Sequence, residues 1–462
     1  MSDTFIQIAY LFAAALFILA LRSLGHPHTA RRGMQMAAFG MFVAVAATLL
    51  HARIITYEWI AVGAVVGAVI GYPLGMWVPM TAMPQRIAFS HAFGALAATL
   101  VGVGEYLHGL DLQQLSHGKV TALGFEVLLG ALTVTGSLMA FGKLQEILPG
   151  RPIVFRFQNV FNLSVLAVGV GCLGWLVLNP YDIWVFVSLG VIGLLVGILM
   201  VMPIGGADMP VVVSLLNSYA GLAAVATGFA IDNNILIVVG ALDGASGFIL
   251  SVTMSKAMNR SFANVLFGAF GAAKPAETAA SAGAVGIMAS INSEDAALRL
   301  AFARQVIIVP GYGLAVAQAQ HQARELVDLL EKRGVDVRFA IHPVAGRMPG
   351  HMNVLLAEAG ISYDKLVDME DINHRFADAD VALVVGANDV VNPAARSNTS
   401  SPIYGMPILN VSDAKSIIVL KRGKGTGFSG VENDLFVGPR TSMLFGDAKQ
   451  SLMSLGAEVK LA

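Results

Sequence analysis

The sequence predicts a polytopic α-helical membrane domain of about nine helices, followed by a soluble α/β domain built on a parallel sheet. Three observations carry this expectation. The 462-residue chain has a mean hydropathy of +0.70 and only 13% charged residues, whereas soluble domains average about 25%. Apolar runs of membrane-spanning length fill the chain up to residue 253. From Gln305 onward, short apolar strands alternate with helical patterns, the rhythm of βαβ units.

The membrane helices are expected near 4–21, 34–50, 58–79, 86–105, 119–142, 160–178, 182–203, 208–229 and 233–253. At 1.5 Å per residue these lengths suit a hydrocarbon core about 30 Å thick, the shortest only just. One set of alternate loops carries Arg22, Arg31, Arg32, Arg86, Lys143, Arg151, Arg156, Lys256 and Arg260. The other set carries only Arg53 and Lys119. The positive-inside rule makes the first set cytoplasmic, so the N-terminus is expected in the periplasm and the C-terminal domain in the cytoplasm. The run Phe5–Leu21 has no basic residue before it and Arg22 directly after it, which reads as an uncleaved helix. A net charge of −1 argues against nucleic acid as a partner. Cys172, the only cysteine, excludes an intrachain disulfide and any multi-cysteine metal site, and no metal site is expected.

The membrane domain is assigned to 1–260, a linker to 261–295 and the soluble domain to 296–462. The linker is rich in Ala, Gly and Ser and is punctuated by Lys274-Pro275. In the soluble domain, strands are expected at 305–310, 335–341, 381–385, 406–411 and 416–420, with helices at 314–333 and 351–359. Val381–Val385 is continuously apolar, as a strand buried on both faces should be.

Gln305–Pro310 runs into Gly311-x-Gly313 and a helical pattern. A Rossmann-like domain holds a pyrophosphate this way, because glycines let the backbone come close and the helix N-terminus faces the anion. The third fingerprint position is Val316 rather than glycine or alanine, and the same glycines also serve as a tight turn without a ligand. Gly386, Asn388, Asp389 and Asn392 follow another apolar strand, at the edge of the sheet where such folds bind ligands. An NAD site needs a carboxylate after the second strand. That strand ends Phe339-Ala-Ile-His-Pro343, without an acid. Lys421 and Arg422, beside Gly423, Gly425 and Gly427, supply cations for a 2′-phosphate, which favours NADP(H). Alone, the pair also reads as a solvated strand end. Arg347 in Gly346-Arg-Met-Pro-Gly350 is a candidate bidentate phosphate ligand.

Within the membrane domain, His91 has a side chain that titrates near physiological pH, although a histidine bonded to a backbone carbonyl is equally open. Ser214, Asn217, Ser218 and Gly221 share one side of the eighth helix, as packing groups or as part of a polar path. Asp208 precedes Pro210 as an N-cap. Asp243 and Glu126 are acids inside membrane helices, which is costly, and both are candidates for a proton wire.

Taken together, Pro310–Gln320, His342–Asn353, Gly386–Asp389, Lys421-Arg422 and Met209–Tyr219 resemble the β subunit of proton-translocating NAD(P) transhydrogenase over nearly the whole chain. The resemblance implies a bacterial inner-membrane enzyme subunit that binds NADP(H). A separate α subunit carries NAD(H), and the assembly is a homodimer of αβ units. Hydride transfer between the two nucleotides is coupled to proton translocation. The resemblance further implies that Gly311, Tyr312, Gly313, Val316, Gly386 and Asn388 line the dinucleotide turn. Arg347 then lies near the phosphates, Asp389 near the nicotinamide, and Lys421 and Arg422 at the 2′-phosphate. Residues 423–433 resemble a lid, with Phe428 where some members carry tyrosine. His91 and Asn217 fall in the proton path, and Asp208 in the coupling loop. A dinucleotide-gated ion transporter or channel is the alternative reading of the same composition. An oxidoreductase with a merely structural membrane anchor is a third.

Overall fold

The computed structural model describes residues 3–25, 27–51, 56–79, 82–150, 152–205, 208–257, 262, 288–346, 350–399, 401, 403–423, 425–427 and 429–462. The chain divides into two compact units, an N-terminal helical one and a C-terminal α/β one, and each is described by itself.

Among the described residues, nine helices are long and apolar enough to cross a membrane. They are α1 (Asp3–Leu24), α2 (Pro27–Leu49), α3 (Glu58–Met76), α4 (Met83–Asp111), α5 (His117–Leu144), α6 (Gln158–Leu178), α7 (Ile183–Val201), α8 (Met209–Ala230) and α9 (Asn234–Ala257). Burial ranks them. The apolar windows of α5 and α8 are each 61% buried, while that of α3 is 0% buried, so α5 and α8 form the heart of the bundle. Local chemistry starts the helices. Ser116 accepts from Lys119 N at 3.2 Å, and Asp182 accepts from Val185 N at 3.2 Å, each satisfying a donor that the first turn leaves orphaned.

In lipid, helices associate through close van der Waals contact, and small residues permit it. A Cβ at Gly197 would sit 2.2 Å from Leu132 O, and one at Gly193 would sit 2.7 Å from Leu128 O. These two positions seat α7 on α5. At the last turn of α5, the buried Lys143 Nζ donates to Met202 O (2.6 Å), Ile204 O (2.7 Å) and Val201 O (3.2 Å). A cation there matches the carbonyls and the dipole of α7's C-terminus. Gln85 on α4 does the same for α5, donating to Leu144 O at 3.2 Å.

The C-terminal unit is a six-stranded sheet in the order β3-β2-β1-β4-β5-β6. The strands are β1 (Gln305–Pro310), β2 (Asp336–Ile341), β3 (Leu366–Asp368), β4 (Val381–Val385), β5 (Ser416–Lys421) and β6 (Thr441–Phe445), and every pair is parallel. This order reverses direction between β1 and β4, which opens a crevice at their carboxyl ends. Separate apolar clusters cover the two faces. Ile308, Leu326, Phe339 and Leu383 lie in one, and Ile307, Phe376, Val384 and Val419 in the other.

Several local expectations change. The helix expected at 314–333 is two helices, Tyr312–Val316 and Gln320–Lys332, separated at Gln318, whose φ is +49°. The strand expected at 406–411 is a loop. Its Leu409 is buried and its backbone N–H bonds Val390 O at 2.9 Å, so the apolar run covers the sheet without joining it. Strands β3 and β6 and the terminal helix Ala448–Leu461, capped by Asp447, were not anticipated. Of the expected linker 261–295, only 262 and 288–295 are described. There, Ile291 N bonds Met443 O at 2.9 Å, and Asn292 caps a helix, Ser293–Ala301.

Asp380 ties together the amino ends of three strands. It accepts from Lys415 Nζ (2.8 Å), Arg304 N (2.8 Å) and Gln305 N (3.3 Å). The Lys415 hydrogen bond, then the backbone donors, hold its carboxyl below the usual carboxylate range. A carboxyl depressed in the folded state stabilises above its unfolded pKa of about 3.9 and loses that contribution as pH falls through the folded value. Asp380→Asn is therefore expected to lower the denaturant midpoint of this unit near neutral pH, and the gap from wild type should narrow steadily below about pH 4. Unfolding curves at a series of pH values check it.

Candidate functional site

Strands β1, β4 and β5 are neighbours, with Pro310 opposite Val385 and Val385 opposite Leu420. The residues that follow them, Gly311, Gly386 and Lys421, therefore emerge side by side at the carboxyl edge. Gly311 N donates to Val385 O (2.9 Å) and Gly313 N to Gly386 O (3.0 Å). A Cβ at Gly311 would lie 2.3 Å from Ala387 Cα, and one at Gly313 would lie 2.7 Å from Gly386 Cα. Gly386 itself has φ +67°, and its Cβ would lie 2.5 Å from Gly313 Cα. The glycine pair thus has a first duty that the sequence did not reveal, to dock the β1 turn on the β4 turn. The short helix Tyr312–Val316 begins there, with Tyr312 half-buried and Val316 exposed. Valine at this position meets no close packing, so it costs the turn nothing.

The β4 loop is latched to the segment expected as a lid. Ser429 N donates to Asp389 Oδ2 at 3.0 Å, and the Ser429 hydroxyl bonds Oδ1 at 2.7 Å. Asn433 Nδ2 donates to Asn388 O and Oδ1, both at 3.0 Å, and the buried Asn392 donates to Glu432 O at 3.0 Å. Gly427 is glycine for want of room, since a Cβ would stand 2.4 Å from Asp389 Oδ1. Lys421 Nζ donates to Gly425 O and lies 5.1 Å from the Phe436 ring. Burial lowers its pKa, and the nearby Asp389 carboxylate opposes that shift. Arg422 is exposed. Ser429 was missed in the sequence. It sits 40 residues from Asp389 in a glycine-rich run, and only the fold brings the two together.

Arg347 and Phe428 lie outside the described residues. Beside Arg347, Gly346 has φ +115°, and a Cβ there would meet His351 Nδ1 at 2.5 Å. After β2, where an NAD site needs an acid, stands His342. It is buried, with Nε2 2.8 Å from Pro407 O and Nδ1 accepting from Val344 N at 3.2 Å. Burial pushes its pKa down to about 4, so the ring is neutral with its proton on Nε2.

In the helical unit, α8 meets α9 backbone to backbone. A Cβ at Gly221 would lie 2.3 Å from Gly244 N, one at Gly240 2.7 Å from Gly221 O, and one at Gly247 2.9 Å from Asn217 Nδ2. Ser218 Oγ donates to Gly244 O at 2.8 Å, and Ser214 Oγ donates to Pro210 O at 3.0 Å. Asn217 Nδ2 donates to Asp243 Oδ1 at 3.0 Å. His91, on α4, is partly buried, and its buried Nδ1 has no hydrogen-bond partner among the described residues. Asp208 stands at the N-cap position of α8 without a side-chain capping bond. Glu126 on α5 is fully buried and accepts from Thr227 Oγ1 at 2.7 Å. Gly102 leaves the space for it, since a Cβ there would fall 2.9 Å from Glu126 Cδ.

A family model described as NAD(P) transhydrogenase beta subunit matches residues 6–458. The NAD(P) transhydrogenase subunit beta of Rhodospirillum rubrum is 46% identical over 457 residues, covering 97% of this chain and 98% of the relative. The protein of the same name from a designated strain of that species gives the same figures.

The docking of the two turns sets a test. Gly386→Ala places a side chain in the left-handed region, at about 1–2 kcal/mol, and adds a clash with Gly313. The thermal midpoint of the C-terminal unit should fall by about 3 °C or more, on the scale of roughly 2–4 °C per kcal/mol for a domain of this size. An unchanged calorimetric transition would show that the turns tolerate separation.

Proposed function

We propose, from the premise that this chain belongs to the family of NAD(P) transhydrogenase beta subunits, that it binds NADP(H) at the carboxyl edge of its sheet. On this reading an α subunit brings NAD(H), and hydride transfer between the two nucleotides drives or uses proton movement across a bacterial inner membrane. Residues 1–260 are the translocating part, 261–295 the linker and 296–462 the nucleotide domain. The N-terminus is periplasmic, and two αβ units pair. One observation carries the reading. The reversal of strand order between β1 and β4 lies beside Gly311, Gly313, Gly386, Asp389, Lys421 and Arg422, on a chain that also has membrane-spanning helices.

The chemistry of the edge supports NADP(H) over NAD(H). A 2′-phosphate is repelled by an acid and held by cations. After β2 stands the neutral His342, with no acid, and after β5 stand Lys421 and Arg422. The turn around Gly311 and Gly313 is proposed as the pyrophosphate cradle, by the resemblance of its glycines to a dinucleotide fingerprint. Arg347 is proposed at the phosphates, and Asp389, held by Ser429, at the nicotinamide. Bound NADP(H) supplies or accepts the hydride, so the chain has no acid or base to provide there. Its task is to position the nucleotide and exclude water.

The membrane part supplies the driving force. Hydride exchange between two nicotinamides has little of its own. One charge moved through about 100 mV is worth roughly 2.3 kcal/mol, enough to shift a nucleotide ratio about fiftyfold. Coupling needs two states that the proton and the nucleotide bind with different affinity. His91 and Asn217 are proposed as the proton-binding end of that linkage, Asp208 as the loop acid that relays it, and the latch at Asp389 and Ser429 as the end that opens and closes.

Replacing Lys421 and Arg422 together with Ala should weaken NADP(H) by about 100-fold or more, from roughly 1.5–3 kcal/mol for each of the two charged contacts, and leave NAD(H) nearly unaffected. Equilibrium titration of both nucleotides decides it, and equal losses would remove the 2′-phosphate argument. His91→Ala should abolish acidification of sealed vesicles containing both subunits while NADP(H) still binds. Normal pumping by that variant would refute the assignment. Redox without any pH change in wild-type vesicles would favour a structural anchor, and flux without redox a gated transporter.

A further inference from the structure

We propose that Glu126 is a second proton-binding group of this chain, a carboxyl that loads and releases a proton against Thr227 at the other end of the α4–α5 seam from His91. The inference rests on the reading of the membrane unit as proton-translocating and adds to it a group that this reading leaves unused.

The position is deep. Glu126 lies nine residues past the start of α5, about 14 Å along it at 1.5 Å per residue, and the residue is 0% exposed. An acid there is costly unless it has partners and a role. The seam makes a fitted place for it. Gly102 of α4 faces the carboxyl, with a prospective Cβ 2.9 Å from Glu126 Cδ and 3.1 Å from each carboxyl oxygen. One turn along both helices, Gly130 of α5 faces Thr99 of α4, and a Cβ there would meet Thr99 Oγ1 at 2.3 Å. His91 is eleven residues before Gly102, about three turns and roughly 16 Å along the same side of α4. The two groups are therefore separate sites on one seam.

The hydrogen bonds of Glu126 fit two protonation states. Thr227 Oγ1 stands 2.7 Å from Glu126 Oε1 and 3.0 Å from Ala223 O, and a hydroxyl has one hydrogen to give. With Glu126 ionised, that hydrogen goes to Oε1. With Glu126 protonated, the carboxyl O–H donates to Thr227 Oγ1, and the hydroxyl turns its own hydrogen to Ala223 O, four residues back on the same helix. Loading thus forms one O–H bond on Oε1 and rotates one hydroxyl, and release reverses both. No backbone has to move. Oε2 is buried and makes no hydrogen bond among the described residues. A bare, charged oxygen in an apolar site is expensive, so the ligand this site calls for is a proton.

The surrounding charges leave that role open. Helices α4, α6, α7 and α8 pack on α5. On α4, Glu105 lies one turn past Gly102 and is paired at 2.8 Å with Lys119, which lies two turns before Glu126 on α5. Tyr106 donates to Pro180 O at 3.0 Å. His108, Asp111 and His117 sit where α4 ends and α5 begins, and Arg86 and Lys143 at the opposite ends of the same helices. Helix α6 carries only Cys172, and α7 has no ionisable side chain. On α8, Tyr219 is eight residues from Thr227, about 12 Å, and Asp208 stands at the N-cap. The cation closest along α5, Lys119, is already held by Glu105.

The test uses the complete enzyme, with its partner subunit, in sealed vesicles. Glu126→Gln keeps the volume and still bonds Thr227, but it binds no proton. Acidification coupled to hydride transfer should fall by about 100-fold, the lower end of what a placed proton-transfer group contributes, while NADP(H) binds as in wild type. Infrared difference spectra between high and low pH should show a protonated-carboxyl band in wild type that is missing in Glu126→Gln, a signal that a merely structural residue would not give. Normal pumping by a well-folded Glu126→Gln protein, or a spectrum unchanged from wild type, overturns the proposal. If Glu126→Gln does not assemble, Thr227→Val decides: a carboxyl band moved to higher frequency supports the pairing, and one superimposable on wild type overturns it. Two controls separate the failures. If wild-type vesicles do not acidify, the translocation reading itself falls. If they acidify, and His91→Ala stops them while Glu126→Gln does not, only the second proton site falls.

Discussion

Both units of this chain depend on one constraint: backbone must approach backbone more closely than any side chain would allow. In the soluble unit, Gly311, Gly313 and Gly386 bring the β1 and β4 turns together, with prospective Cβ positions 2.3–2.7 Å from the facing Cα atoms. In the helical unit, Gly221 and Gly240 do the same for α8 and α9. Contact at this range excludes water and leaves no freedom of register. Polar groups at the edge of each seam are therefore fixed without being rigid themselves. Asp389 meets Ser429 beside Gly427, Asn217 meets Asp243 beside Gly247, and Glu126 meets Thr227 beside Gly102. In each case a missing side chain makes the space that a charged or amide group occupies.

Such seams explain which parts were legible in the sequence. The membrane helices and the strands β1, β4 and β5 lie where they were expected, although α2 begins at Pro27 rather than 34 and α4 runs on to Asp111 rather than 105, because long apolar runs and continuous β-branched stretches are local signals. The apolar run 406–411 misled for the same reason, since it is buried as a covering loop. Strand β3 has three residues and no pattern, and it forms only because β2 offers an edge. The break at Gln318 follows from the docking of the first turn, a tertiary requirement that local propensity does not encode.

The candidate site was half legible. Its residue types and their places at strand ends could be read, because ligands of open parallel sheets bind at the carboxyl ends of the strands. Its connections could not. Ser429 reaches Asp389 across 40 residues and Asp243 reaches Asn217 across 26, and nothing in the intervening sequence announces either pair. The glycines near Asp389 and Ser429 were visible, but their meaning was read as closeness to a ligand, when they also provide closeness to another part of the chain.

His342 carries a consequence of its own. Its ring donates a hydrogen bond to Pro407 O, accepts one from Val344 N and, with a pKa of about 4, stays uncharged throughout the physiological range. The turn that follows β2 is thus insensitive to pH changes near neutrality. A nuclear-magnetic-resonance titration of the histidines would find this one silent, its tautomer frozen, while exposed imidazoles trace their usual curves.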